Sequence, residues 1–344
     1  MSVEAGRGAT ADEVNQAAWS WRRPEVRAVA YQSLLVAMLA FGAWYFISTA
    51  AENLQTRRIA SGFGFLTREA GFEIGETTII SYSATDTYLK ALAAGLLNTL
   101  WVATLAILFS TLFGVALGFA RLSPNWLLAK IAAAYVEVFR NAPLVVQLFF
   151  WYAIITDALP APAEALNPLP GLFFSNRGVA FPTFSPTSLA WDLPVLDGFN
   201  FSGGASLSPE FAALLIGLSL YTASFIAEIV RAGILSVDAG QYEAAHSLGH
   251  NRRQAMRFII LPQALRLIVP PLASQYLNCT KNSSLAVAIG YPDLVSIVNT
   301  TINQTGQAIE GIAVIMAVYL TISLATSALM NWYNRRIGLR GFNP

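Results

Sequence analysis

Charge is what this sequence has least of. Only 12% of its 344 residues are Asp, Glu, Lys or Arg, about half the roughly 25% usual in soluble domains. The 21 basic and 20 acidic residues leave a formal net charge of +1, which supplies no basic face for nucleic acid. A single cysteine, Cys279, excludes an internal disulfide and reads as a small packing residue in an apolar run. The two histidines, His246 and His250, can share a helix face but have no carboxylate or thiol pair beside them, so no metal site is expected. A phosphate-binding Gly-x-x-x-x-Gly-Lys-Ser/Thr loop, a Gly-x-Ser-x-Gly elbow and a His-Glu-x-x-His pair are all missing. "SGFGF" at 61–65 is an isolated Gly-x-Gly without a dinucleotide context. ATP is therefore not hydrolysed on this chain, and no covalent catalysis or bound cofactor is expected of it.

Long apolar runs, in contrast, are plentiful. Hydrophobic residues make up 55% of the chain, and uncharged stretches cover 28–51, 91–120, 141–156, 211–227, 267–280 and 311–334. A helix needs about 20 residues to cross the hydrocarbon. The first, second and last runs meet that unaided; the others do so with charged neighbours such as Glu137, Arg140, Glu228, Arg231 and Lys281. The pattern predicts an all-α polytopic membrane protein with spans near 28–50, 92–120, 130–157, 209–234, 263–290 and 309–334. The first run is too long for a cleaved signal peptide and is read as a retained helix.

Lys and Arg placement orients these spans. Residues 158–208 hold one basic residue, Arg177, and are rich in proline and aromatics, as suits an external ordered loop or small cap. Residues 241–265 and 335–344 carry basic clusters, which puts both termini inside. Residues 1–27 and 336–344 are then internal tails. Residues 28–90 comprise the first span and an external segment in which Arg57, Arg58 and Arg68 fit the rule poorly. Ser208 and Pro209 are suited to start the fourth span as cap and first turn.

The same topology puts residues 236–262 inside, where "QYEAAHSLGHNRRQAMRFIILPQAL" (241–265) combines helix formers with a break at Gly249 and a new helix start at Pro262. This describes a helical hairpin beneath the membrane. Its pattern resembles the EAA loop of ABC-importer permeases: Glu243, Ala244 and Ala245, three residues, Gly249, nine residues, then Ile259, Leu261 and Pro262. Seven fixed positions match by chance on the order of once in ten million starts or fewer. "YVEVFRNAPLVVQLFFWY" (135–152), "YTASFIAEIVRAGI" (221–234) and "QALRLIVPPLASQYLNCTKNSSLAVAIGYPDL" (263–294) extend the similarity to polar amino-acid permeases (the histidine, glutamine and general L-amino-acid group) over about residues 90–335.

The resemblance implies a MetI-like type I permease core at 91–335, carrying an extra N-terminal helix and a long periplasmic insert at 158–208. It implies residence in a bacterial inner membrane with both termini cytoplasmic. The implied partners are a cytoplasmic ABC ATPase that holds the ATP and Mg, a second, unlike permease subunit, and a periplasmic amino-acid-binding protein. The loop at 236–262 would be the coupling helix in the ATPase cleft. A secondary amino-acid transporter is the alternative, but it would need a coupling-ion site and usually two related halves, and neither is evident.

Ionisable and polar residues at membrane depth mark pathways or pairs. Glu137 with Arg140, and Glu228 with Arg231, are i,i+3 pairs that can neutralise locally or form a gate. Pro143 is placed to kink or restart the third helix. Gln147 either faces a pathway or bonds across helices. "NCTKNSSLAVAIGYP" (278–292) interrupts the fifth span. Transporters bind substrate at such breaks. There Lys281, or the amides of Ser283 and Ser284, can receive an α-carboxylate, while Asn282 and the hydroxyls read the rest of the ligand. Lys281 can otherwise snorkel to an interface while the serines pack between helices. The asparagine at 282, where relatives with cationic substrates often have aspartate, argues mildly against a strict arginine or lysine preference.

Overall fold

A computed structural model describes residues 24–56, 61–77, 79–185 and 190–338. The tail at 1–23, Arg57 and Arg58, and residues 339–344 lie outside them. The chain divides into two compact units, Met1–Ser61 and Gly62–Pro344. The first contributes helix α1 (Pro24–Thr56), 33 residues long. Its described side chains are nearly all exposed, from Val29 to Ile47. A helix apolar on every side is suited to lipid.

The second unit is built on helices. Thr87 caps α2 (Tyr88–Arg121), its side chain accepting from the Lys90 amide, and the uncharged run at 91–120 carries it for 34 residues. Asn125 caps α3 (Trp126–Asn141) by accepting from the amides of Leu127 and Leu128. The expected third span at 130–157 is not one helix. α3 stops before Pro143, and α4 (Leu144–Ala153), extended by a π-helical turn to Ala158, leaves at 104°. Proline has no N–H to donate and its ring opposes continuation, so the chain restarts there. Among the described residues, five helices, or six with this bent pair as one span, are long and apolar enough to cross a membrane.

All-α describes the helical core but not the insert. Within 158–208 the chain forms β1 (Leu166–Leu169), β2 (Leu172–Ser175), β3 (Gly178–Phe181) and, after two excursions, β8 (Ala205–Leu207). These make an antiparallel sheet in the order β1-β2-β3-β8, with Val179 opposite Leu207. The excursions are β4 (Thr183–Ser185) with β5 (Ala190–Asp192), and β6 (Val195–Asp197) with β7 (Asn200–Ser202). Strands this short give too few alternations for period-two patterning to register. β8 leads into α5 (Pro209–Leu235), whose cap Ser208 accepts from the Phe211 amide at 3.0 Å.

α5 is the centre of the unit, and its packing against α2 depends on small residues. A Cβ built on Gly114 would lie 2.7 Å from the Ile226 Cβ and 2.8 Å from the Ala223 carbonyl oxygen. One on Gly118 would lie 2.8 Å from Val230. Gly114-x-x-x-Gly118 is thus a small-residue stripe that lets two backbones approach closely.

After α5 come α6 (Ala239–Ser247), then α7 (Arg252–Ala255), a π-helical turn (Met256–Ile260), α8 (Leu261–Asn282) and a 3₁₀ segment (Ser283–Ile289). The last four form one continuous helix, Arg252–Ile289. Pro262 does not start a helix, as its sequence suggests, but sits inside this one. The Leu261 amide donates five residues back, to Met256. The wider turn accommodates a residue whose ring would crowd the carbonyl four positions earlier. Gly290, at φ +82°, closes the run; α9 (Leu294–Thr305), capped by Asp293, and α10 (Ala308–Gly338) complete the unit.

Candidate functional site

The hairpin at 236–262 is built by caps at each end. The Asp238 carboxylate accepts from the Gly240 amide at 2.7 Å and starts α6. At its other end, the His250 amide donates to the Ala245 carbonyl and the Gly249 amide to that of His246. This pair of bonds is a Schellman motif, which needs a left-handed residue at its turn. Gly249, at φ +83°, supplies it. Asn251 and Gln254 then form a reciprocal capping box at 2.9 Å in each direction, starting the next helix.

Ala245 is fully buried while Glu243 and Ala244 are exposed, and Leu248 at the tip is 78% exposed. The hairpin therefore turns one face to the core and offers the other. The core face joins a cluster of Ile226, Val230, Ile234, Ile260, Ala264 and Ile268, with Tyr242, Met256 and Ile259 packed on it. Burying one such aliphatic side chain stabilises by about 1.5–3 kcal/mol. Burial raises the Tyr242 phenol above its usual range, and Arg252 partly opposes the rise. Gln263 bonds to both Gln241 and the Ile259 carbonyl, tying the limbs together. Leu261 is half-buried and Pro262 exposed.

The ion pairs differ from the expected pattern. Arg231 Nη2 donates to Glu228 at 2.6 Å, as the i,i+3 spacing suggests, but Glu228 also receives Arg121 of α2. The carboxylate therefore links two helices, a contact that spacing along one helix does not reveal. Glu137 and Arg140 form no ion pair among the described residues. Arg140 lies 5.0 Å above the Phe225 ring instead. Both face a cavity of about 490 Å³ that they share with Arg121 and Glu228.

Gln147 is buried. Its Nε2 donates to the carbonyls of Phe139 and Ala142 at 2.9 and 3.0 Å, satisfying the broken end of α3. This is the cross-helix bond among its two expected roles, although Gln147 also lines an apolar hollow of about 230 Å³.

In the segment 278–292 the α-helix tightens to 3₁₀ geometry from Ser283 rather than unwinding. Lys281 is exposed and Asn282 and Ser284 are half-buried. No ion pair engages Lys281 among the described residues. Ser283 is fully buried, its hydroxyl donating to the Thr280 carbonyl at 2.7 Å, and Ser284 does the same to Lys281. The Ser283 amide is also taken, by the Cys279 carbonyl. It is therefore not free to receive a carboxylate, which corrects the expectation from sequence.

Sequence reading missed Asp293, just beyond this segment. Its Oδ1 caps α9 through the Ser296 amide at 2.8 Å, and its Oδ2 is buried with no partner among the described residues. Burial raises its pKa to about 7. An Asp directly after a proline and just before an apolar helical run, the pattern of a helix N-cap, was the available signal. Among the described residues, no three His, Cys, Asp or Glu side chains converge to hold a metal.

Comparison with known proteins agrees with this architecture. Residues 110–339 match the family described as the binding-protein-dependent transport system inner membrane component. The putative amino-acid ABC transporter permease protein YhdX of Escherichia coli K12 is 45% identical, the match covering 93% of this chain and 96% of that one. The general L-amino acid transport system permease protein AapQ of Rhizobium johnstonii is 41% identical over the same shares. The glutamate/glutamine/aspartate/asparagine transport system permease protein BztB of Rhodobacter capsulatus is 35% identical, with 91% and 94% covered. A crystal structure of an amino acid ABC transporter with histidines superposes with TM-score 0.53 at 28% identity, covering 72% of this chain and 95% of that chain. The inward-facing MetNI methionine ABC transporter, at TM-score 0.51 and 16% identity, shares the fold. These relatives are transport permeases rather than enzymes. The chain is a multi-pass membrane permease, and it belongs to the family of binding-protein-dependent transport system inner membrane components.

Proposed function

We propose that this chain is the transmembrane subunit of an ATP-driven importer of polar L-amino acids, working in the bacterial inner membrane with both termini cytoplasmic. A binding protein delivers substrate to the outer face, and a second, unlike permease chain encloses the path. Two ATPase subunits, which hold the ATP and Mg, grip α6 of each permease. The names of YhdX, AapQ and BztB support the substrate class.

The observation that carries the reading is the hairpin's mechanical continuity. α6 presents Glu243 and Leu248 outward, and its inner face is packed onto the helix Arg252–Ile289. That helix is 38 residues long, or about 57 Å at 1.5 Å per residue. A displacement gripped at α6 therefore reaches the polar segment at Lys281–Ser284 along one continuous helix, with Pro270 and Pro271 inside it as points where it can bend. Lys281, exposed and charged, is suited to attract the α-carboxylate that every amino acid carries, and Asn282 to read the remainder. Glu137, Arg140 and the Arg121–Glu228–Arg231 trio would form the inner gate. Each ATP-driven switch must favour one state by several kcal/mol to shift the population decisively.

Uptake into proteoliposomes tests this. Transport should require ATP and the binding protein, and should survive collapse of ion gradients; a secondary transporter would stop at that collapse. Glu243→Ala should abolish uptake and ATPase stimulation without reducing membrane insertion. Unchanged uptake in that variant contradicts the coupling role.

A further inference from the structure

On its membrane side the hairpin borders a hollow that coupling does not explain. It has a volume of about 740 Å³ and lies between the end of α2, the start of α3 and the helix that follows the hairpin. That size falls within the range of small-ligand sites. Its walls include Ala116, Phe119 and Leu128, and its rim carries Arg252, Arg253 and Arg257. Among the described residues, no acidic side chain lines it. All three arginines are exposed, and none forms an ion pair among the described residues. Arg257 lies 5.6 Å from the Phe258 ring centroid.

We propose that this hollow seats one anionic phospholipid of the inner leaflet, with its phosphate on the three guanidiniums and an acyl chain along the α2 wall. The placement rests on the coupling hairpin being cytoplasmic, as proposed above. Charge complementarity argues for the occupant. Three unpaired cations on one rim attract an anionic headgroup, and guanidinium forks match phosphate oxygens in geometry.

Depth decides between lipid and the ATPase. Ala116 sits five residues before Arg121, the last residue of α2, or about 7 Å back along the helix axis. A soluble subunit does not penetrate that far along an apolar wall, whereas an acyl chain occupies that depth by default. Trp126, 71% exposed at the start of α3, lies two residues after Pro124 of the hollow's wall, and exposed tryptophans favour the headgroup boundary. A lipid held here would touch both α2 and the helix that carries the hairpin's motion.

The test uses the assembled importer in nanodiscs of phosphatidylcholine containing a minor fraction of phosphatidylglycerol with matched chains. Native mass spectrometry then reads which lipid remains on the permease. The wild-type chain should retain phosphatidylglycerol preferentially. Each arginine removed should weaken retention about fivefold, so that R252Q/R253Q falls roughly thirtyfold. Leu128→Trp, which fills the wall and keeps the charges, should also lose the lipid.

Equal retention of both lipids, or phosphatidylglycerol retention that ignores these variants, overturns the proposal. So does full displacement by millimolar inorganic phosphate, which would identify a free-anion site. Loss of ATPase association in R252Q/R253Q with lipid retention intact would assign the arginines to the protein partner instead. Lipid retention needs no transport, so it can succeed even where Glu243→Ala disproves coupling.

Discussion

Gly249 and Asp293 are the two positions where a single side chain decides most. At Gly249 an added Cβ meets nothing within 4 Å, so the cost of substitution is entirely one of backbone conformation at φ +83°. That cost is about 1–2 kcal/mol for an ordinary residue and less for asparagine. Gly249→Ala should therefore speed hydrogen exchange of the α6 amides about five- to thirtyfold, with Gly249→Asn closer to wild type. Equal exchange in all three would show that the Schellman turn does not hold the hairpin. At Asp293 burial raises the carboxyl pKa from the ordinary range near 4 to about 7. A carboxyl that binds its proton more tightly in the folded state makes the fold most stable when protonated. Stability should then fall as pH rises from about 4 to 7 and level off above that. Asp293→Asn keeps a capping oxygen and should flatten the dependence of melting temperature on pH over this window; an unchanged slope would assign the dependence to other groups.

Between elements, the α2–α5 contact is the most constrained. Gly114→Val would drive its Cβ against Ile226 and the Ala223 carbonyl, and such overpacking costs about 1–3 kcal/mol. It should lower the melting temperature of the detergent-solubilised chain, while Gly42→Val in α1, where nothing lies within 4 Å, should not. The Arg121–Glu228–Arg231 trio joins the same two helices, and its side chains are 18–31% exposed. Glu228→Ala leaves two arginines facing each other and should cost more than Arg121→Gln, which leaves the Arg231 pair in place. With this much solvent access the larger loss should be about 1–2 kcal/mol, below the 3–5 of a fully buried pair. Much of this layout was legible in the sequence: the uncharged run at 91–120 became α2, Pro143 ended α3, and Ser208 capped α5. Three features were not. The insert's strands, of three or four residues, are too short to show alternation, and the trio depends on a partner 107 residues away. Pro262 reads as a helix start because local rules do not anticipate that a π-turn would absorb it. The fixed EAA positions revealed the hairpin.

For the whole molecule, coupled import depends on which side of the membrane the hairpin occupies and what covers it there. The chain offers a clean probe, because its only cysteine, Cys279, is buried while Leu248 at the hairpin tip is 78% exposed. Leu248→Cys can therefore be labelled with a membrane-impermeant maleimide against a silent background. A cytoplasmic coupling hairpin should show no labelling in intact cells, labelling in inverted vesicles, and protection when the ATPase subunit is co-expressed. Labelling from the outside, or labelling from the inside that the ATPase leaves undiminished, would contradict it.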